Sequence, residues 1–433
     1  MIKKSGVAAL AAVVLALSAC GSGAGEEPPK AGEPRVLKLW HYEGADSAMG
    51  KAWAEAIKKF EASHPGVTVK FEEKGFEQIQ KTASMVLNSD EAPDLMEYNK
   101  GNATAGLLSK QGLIADLSEE ATKRGWDKLL PGGLQTTAKY DDRGVMGSGK
   151  WFGLPNYGEF VMVYYNKDLF EKHKVDVPTT FEEFTAALDT FVKAGVTPIA
   201  SAGAEYPAQQ IVYQLALSKA QRPWVDAFQL YKGKVDFQGP ELTYGAQTFA
   251  DWVQKGYVDK KSSGLKAEDM GVAFMKGEFP VMISGSWWYG RVVEEAKSFE
   301  WGHFLFPGST LAPGSSGNLW VVPEKSENKD LAYDFIDITM SKDIQNLLGN
   351  SGGVPVAADP AAITDPKSKE LIETFNKVTA ADGLAFYPDW PAPGYYDVLV
   401  AGTQNLINGS KTPAQVLDEI AKPYEDNLAD LGN

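Results

Sequence analysis

The chain has 433 residues, 44% of them hydrophobic and 23% charged, which is too long for one ordinary core and too apolar for a disordered chain. Lys and Arg total 42 against 57 Asp and Glu, and the formal net charge of -15 would repel a nucleic-acid backbone, so no nucleic-acid partner is expected. One cysteine excludes an intrachain disulfide, and four scattered histidines give no basis for a metal site.

The first segment reads as an address. Lys3 and Lys4 precede an apolar stretch from Gly6 to Leu17 and then small residues, the order of a secretory signal peptide, and that stretch is too short to span a bilayer. Leu17-Ser18-Ala19-Cys20 resembles the bacterial lipobox, and the lone cysteine falls where that motif needs its lipid acceptor. Residues 1–19 are therefore expected to be a removed signal peptide and Cys20 the lipidated first residue. Gly21 to Arg35, rich in Gly, Ala, Glu and Pro, complete a flexible tether over residues 20–35. The body then sits outside the cytoplasm, anchored to the outer face of the bacterial cytoplasmic membrane.

Beyond the tether, strand and helix alternate. Val36 to Trp40 reads as a strand, Trp53, Ala56, Ile57 and Phe60 recur at helical spacing up to His64-Pro65-Gly66, and Val67, Val69 and Phe71 alternate as a second strand. Asp94 to Tyr98 is a further strand. Phe160 to Asn166 is another, Thr180 and Glu183 have capping-box spacing, and Thr197 to Ser201 precedes a helix over Pro207 to Lys219. Pro280 to Ser284 is the last clear strand. This order predicts an α/β fold in both halves, with ligands beyond the carboxyl ends of the strands.

Several stretches resemble the extracellular solute-binding proteins that serve bacterial ATP-binding cassette importers of oligosaccharides, the class that includes maltose-binding protein. They include Leu37 to Tyr42, Phe60 to Val69, Ala92-Pro93-Asp94-Leu95-Met96, Tyr164 to Phe170, Phe274 to Met282 leading into Gly285-Ser286-Trp287, and Asn328 to Ile336. The resemblance implies two discontinuous lobes with a central ligand cleft and hinge strands: residues 36–157 plus 307–348, and residues 158–306 plus 349–433. The chain would cross between lobes near Tyr157 to Phe160, Phe306-Pro307 and Asn346 to Asn350. It further implies a monomer without cofactor or catalytic activity that closes on its ligand and delivers it to the importer's transmembrane subunits. Ser286 departs from the proline that maltose-binding protein carries there, so finer substrate choice is not inherited.

A sugar site needs flat rings for the C–H faces and fixed polar groups for the hydroxyls. Trp287 and Trp288 follow a strand; by resemblance Trp287 stacks on ligand, with Trp288 turned into the core. Phe386 to Tyr396 packs aromatics between prolines and glycine, as in a rigid loop, and offers Trp390 as a second platform together with Tyr395. Polar candidates are His41, Tyr42 and Glu43 after the first strand, Lys74, Asn99, Asn102 (alternatively a helix cap), Glu205, Tyr206 and Gln210. Arginine is sparse near these motifs, which favours a neutral ligand, with a xylo-oligosaccharide as the guess. Two other readings stay open: a secreted glycosidase using Glu43 and Glu205 as a carboxylate pair, and a receptor for a peptide, amino acid or polyol. Gly349-Asn350-Ser351-Gly352-Gly353 fits a nucleophile-elbow pattern, but a helix precedes it, so a lobe connection is the expectation.

Overall fold

The computed structural model describes residues 34–432. The signal peptide, Cys20 and nearly all of the tether lie outside them. Strand β1 (Arg35–His41) pairs in parallel with β2 (Val67–Glu73) and β3 (Leu95–Tyr98). Between β1 and β2 runs the helix Ala48–Ser63, started by Ser47, whose Oγ accepts the Gly50 N–H at 2.8 Å, and ended at His64 before Pro65-Gly66. Of the set spaced for a helix in the sequence, Trp53, Ala56 and Phe60 are buried and Ile57 is half-buried.

A small hairpin, β4 (Lys139–Tyr140) with β5 (Lys150–Trp151), leads to β6 (Leu154–Pro155) and to the ten-residue β7 (Tyr157–Asn166). The second sheet forms around β7, with β8 (Ile199–Ala200), β9 (Val281–Gly285) and β10 (Trp301–Phe304); β9 and β10 run antiparallel to β7 and β8 parallel to β9. After β11 (Gly314–Ser316) the chain returns to the first sheet as β12 (Leu319–Val321), which is antiparallel to both β3 and β6. The last strand is β13 (Val354–Pro355). The first sheet is thus ordered β2-β1-β3-β12-β6 and the second β10-β7-β9-β8. These sheets anchor two lobes, and both are mixed in strand direction, where strand–helix alternation alone favours a parallel sheet.

The lobes meet where β7 begins. Gly158 pairs with Ser316 of β11 on one side and with Val354 of β13 on the other, so three crossings lie side by side. The second crossing falls at β11–β12 and not at Phe306-Pro307. Phe304 is still paired with Val163 of β7, and Phe306 packs on Phe181 and Phe184 inside the second lobe. The third is Ser351 to Pro355, just past the helix Lys342–Asn350; β13 follows where a nucleophile elbow would need a helix.

Core packing differs between the lobes in kind. In the first, Trp53 meets Trp320 edge-on at 5.6 Å, and Phe60 and Trp320 both pack on Phe335 of the helix Lys329–Thr339. In the second, the helices Tyr206–Leu217, Pro240–Gln254, Tyr395–Asn408 and Pro413–Asp430 bury a cluster centred on Tyr213, Phe228 and Tyr424. The capping box on Thr180 and Glu183 is formed and starts the helix Phe181–Lys193. The aromatic loop is shorter than expected: Gly394, in the left-handed region at φ 74°, turns the chain into a helix whose first residues are Tyr395 and Tyr396. Among the described residues, no helix is long and apolar enough to cross a membrane.

Candidate functional site

A cavity of about 560 Å³ lies between the lobes, within the roughly 300–1,000 Å³ of small-molecule sites. Each wall carries an edge-on aromatic pair. On the first lobe Tyr42, just past β1, meets Phe76 at the start of the helix Phe76–Leu87, with centroids 5.2 Å apart and planes at 83°. On the second lobe Tyr206 meets Trp287 at 5.6 Å and 74°, and the indole Nε1 donates to the Tyr206 hydroxyl at 3.1 Å. Gly285 allows this placement, because a Cβ there would run into the Trp287 ring.

The floor is charged and buried. Lys100, whose side chain is 1% exposed, donates to Glu159 Oε1 at 2.5 Å and to Asn318 Oδ1 at 2.9 Å. Asn318 Nδ2 donates to the Tyr157 hydroxyl at 2.6 Å, and that hydroxyl lies 3.4 Å from Glu43 Oε1 and 3.5 Å from Glu97 Oε1. One phenolic proton cannot serve both carboxylates. Burial, and then the Glu159 charge, push the Glu43 carboxyl up to about 7. Burial followed by the charge of Glu43 holds Glu97 well above the ordinary carboxylate range. Asp389, in the aromatic loop, is pushed up by burial to about 6.

The lobes are also tied at the rim. Arg291 reaches Asp46 at 2.9 Å across the cleft while holding Glu268 at 2.8 and 3.0 Å on its own side. Lys51 pairs with Glu294, and the Tyr396 hydroxyl donates to Glu77 at 3.1 Å.

Of the residues singled out in the sequence, Tyr42, Glu43, Asn99, Glu205, Tyr206, Gln210, Trp287, Trp288 and Trp390 line this cavity. Asn99 Oδ1 accepts the Lys100 N–H, and Glu205 Oε2 accepts the Ala267 N–H at 2.8 Å. Trp288 is buried, its ring against Gly271. Trp390 reaches the cavity but is only 1% exposed and offers no open face, since Gly101, at φ 108°, packs on it so closely that a Cβ would lie 2.6 Å away.

Four other expectations are corrected. His41 is the last residue of β1, stacked on Phe71 at 4.0 Å; burial lowers its pKa to about 3, and its Nδ1 accepts the Glu43 N–H, so it positions Glu43. Lys74 turns to Glu72 at 2.7 Å and lies over Trp40. Asn102 neither caps a helix nor lines the cleft; it bridges the lobes, donating to the Gln229 carbonyl and accepting the Met146 N–H. Tyr395 is fully buried behind the wall against Phe228.

The sequence reading missed Phe76, Lys100, Tyr157, Glu159, Asn318, Tyr387, Asp389 and Tyr396, all on the cavity wall. Glu159 carried a signal, because a carboxylate inside the apolar run of β7 is too costly to bury without a partner.

Four buried polar atoms on this wall have no hydrogen-bond partner: the hydroxyls of Tyr42 and Tyr387, Gln210 Oε1 and Trp288 Nε1. A polar ligand or a bound water would satisfy them.

Among known proteins, the chain is 29% identical to a probable sugar-binding periplasmic protein of Rhizobium meliloti, over 51% of this chain and 52% of that one; the chain thus spans about half the length of this relative. It is 23% identical to the diacetylchitobiose binding protein of Streptomyces coelicolor over 97% of each chain. A solved structure from work on xylan utilization by the thermophilic bacterium Caldanaerobius polysaccharolyticus superposes with a TM-score of 0.77 at 23% identity, over 89% of this chain and 99% of that one. The family model for bacterial extracellular solute-binding proteins matches residues 44–346, and the chain belongs to that family.

Proposed function

We propose that the protein is the receptor of an ATP-binding cassette importer and captures a di- or oligosaccharide between its lobes. The observation that carries this reading is the pairing of two facing aromatic pairs, Tyr42–Phe76 and Tyr206–Trp287, with partnerless polar atoms on the same wall. A pyranose presents that combination in reverse, with apolar faces and a polar rim. Relatives named for periplasmic sugar binding and for diacetylchitobiose support the ligand class. The solved structure from xylan utilization keeps a xylo-oligosaccharide in the panel.

Capture works by closure. A ligand touching both walls favours the closed arrangement by its differential affinity, and the rim contacts Arg291–Asp46 and Tyr396–Glu77 form only when the lobes approach. The closed monomer is then the form presented to the importer's transmembrane subunits, with the body held at the outer membrane face through a lipid on Cys20. No catalytic role is assigned to Glu205, whose carboxylate is engaged by the Ala267 N–H.

The test is isothermal titration of the protein beginning after Cys20 against mono-, di- and trisaccharides of the xylo-, cello-, malto- and chito- series, with sugar integrity checked afterwards. Saturable binding of an intact sugar is expected. Cleavage would make the protein a hydrolase, and no heat across the panel would redirect the search to peptides and polyols.

A further inference from the structure

The cavity wall holds seven carboxylates and two cations. Most are accounted for: Lys100 neutralises Glu159, Arg291 holds Asp46 and Glu268, and Glu205 accepts a backbone N–H with Lys266 at 3.7 Å. Glu43, Glu73 and Asp389 have no ion pair, and the buried carboxyl of Glu97 shares a hydrogen bond with that of Glu43. The surplus sits on both walls, since Glu43 leaves β1 of the first lobe and Asp389 belongs to the loop ahead of the helix Tyr395–Asn408 in the second.

Burying uncompensated carboxylates is costly, and the raised pKa values of Glu43 and Asp389 register that cost. A positive group arriving with the ligand would offset it. Two further observations mark the place as a ligand site and not merely an acidic cluster: Gln210, 5% exposed, and Tyr387, 4% exposed, each hold a partnerless polar atom on the same wall. The two cations on the wall, Lys100 and Arg291, are already engaged by carboxylates, which disfavours an anion and says nothing against a cation. No group of three His, Cys, Asp or Glu side chains among the described residues is arranged to hold a metal ion, so an organic ammonium fits better.

We propose that the sugar held in this cleft carries a protonated amine, as an amino-sugar unit with its amine free, seated between Glu43 and Asp389. The proposal rests on the sugar-receptor reading and narrows it. The ammonium would donate to the two carboxylates while its ring hydroxyls meet Gln210 and Tyr387. The acidic body of the protein would also steer such a ligand toward the cleft.

The test compares three disaccharides of the same linkage by titration at low and high salt: the glucosamine disaccharide, its N-acetylated form and the plain glucose form, with spermidine as a charged compound without a sugar ring. The glucosamine form is expected to bind at least about tenfold tighter than the neutral two at low salt, with the margin shrinking at high salt. In Asp389→Asn and, independently, Glu43→Gln, the ratio of amine to neutral affinity should fall to within about threefold, with thermal midpoints confirming that each variant folds. Equal or tighter binding of a neutral disaccharide overturns the amine proposal and leaves the sugar reading standing. No binding of any sugar, with or without binding of spermidine, overturns both.

Discussion

The walls of the cleft and its floor are built on opposite terms. The walls are aromatic and partly open, and each is assembled from one lobe: Tyr42 with Phe76, Tyr206 with Trp287. The floor is ionic and closed to solvent, and it is assembled from both lobes at once, with Lys100 following β3, Tyr157 and Glu159 on β7, and Asn318 between β11 and β12. Wall contacts gain free energy from apolar burial, whereas the floor mostly repays the desolvation of its own charges. On the proposed reading, ligand affinity would belong to the walls and the geometry of closure to the floor.

The largest effect should come from breaking the floor. Lys100→Met leaves Glu159 buried without its cation and should lower stability by about 3–5 kcal/mol, read as a drop in denaturation midpoint. An unchanged midpoint would mean that the floor is hydrated and of little consequence. Breaking a wall should act on ligand instead. Trp287→Ala should weaken sugar binding by about 2–4 kcal/mol while thermal unfolding stays close to that of the parent; undiminished affinity would move the site elsewhere.

A pH series sharpens the contrast further. Glu43 has a folded pKa of about 7 against an ordinary 4.5, so the folded state keeps a proton that the unfolded chain has released between those values. Stability should therefore fall as pH rises from about 4.5 to about 7, by about 1–3 kcal/mol, and Glu43→Gln should flatten that slope in urea titrations at several pH values. The smallest effect belongs to the rim: Lys51→Ala removes a partly exposed pair with Glu294 and should cost less than about 1 kcal/mol in unfolding experiments.

Local pattern carried the walls into view. Tyr42 follows a strand whose alternation is visible, Tyr206 precedes a helix with Pro207 in its first turn, and Trp287 follows the apolar run of β9; each is placed by its immediate neighbours. Phe76 escaped because one aromatic opening an amphipathic helix looks like a core residue. His41 and Tyr395 failed for a related reason. Each stands beside a true cleft residue, Tyr42 or Tyr396, and adjacent positions face opposite ways in a strand and about 100° apart in a helix.

The sequence alone determined the early strand and helix order, the helix start at Thr180, the excess of negative charge, and the family pattern that implies two lobes, because all of these depend on residues close together in the chain. Only the tertiary structure decided that Lys100 meets Glu159 and Asn318, that Asn102 braces the lobes, that Trp390 is sealed by Gly101, and that Glu43 and Asp389 share a cavity in which neither has an ion pair. Those pairings join residues separated by tens to hundreds of positions. A buried charge gives no local sign of which distant partner will compensate it.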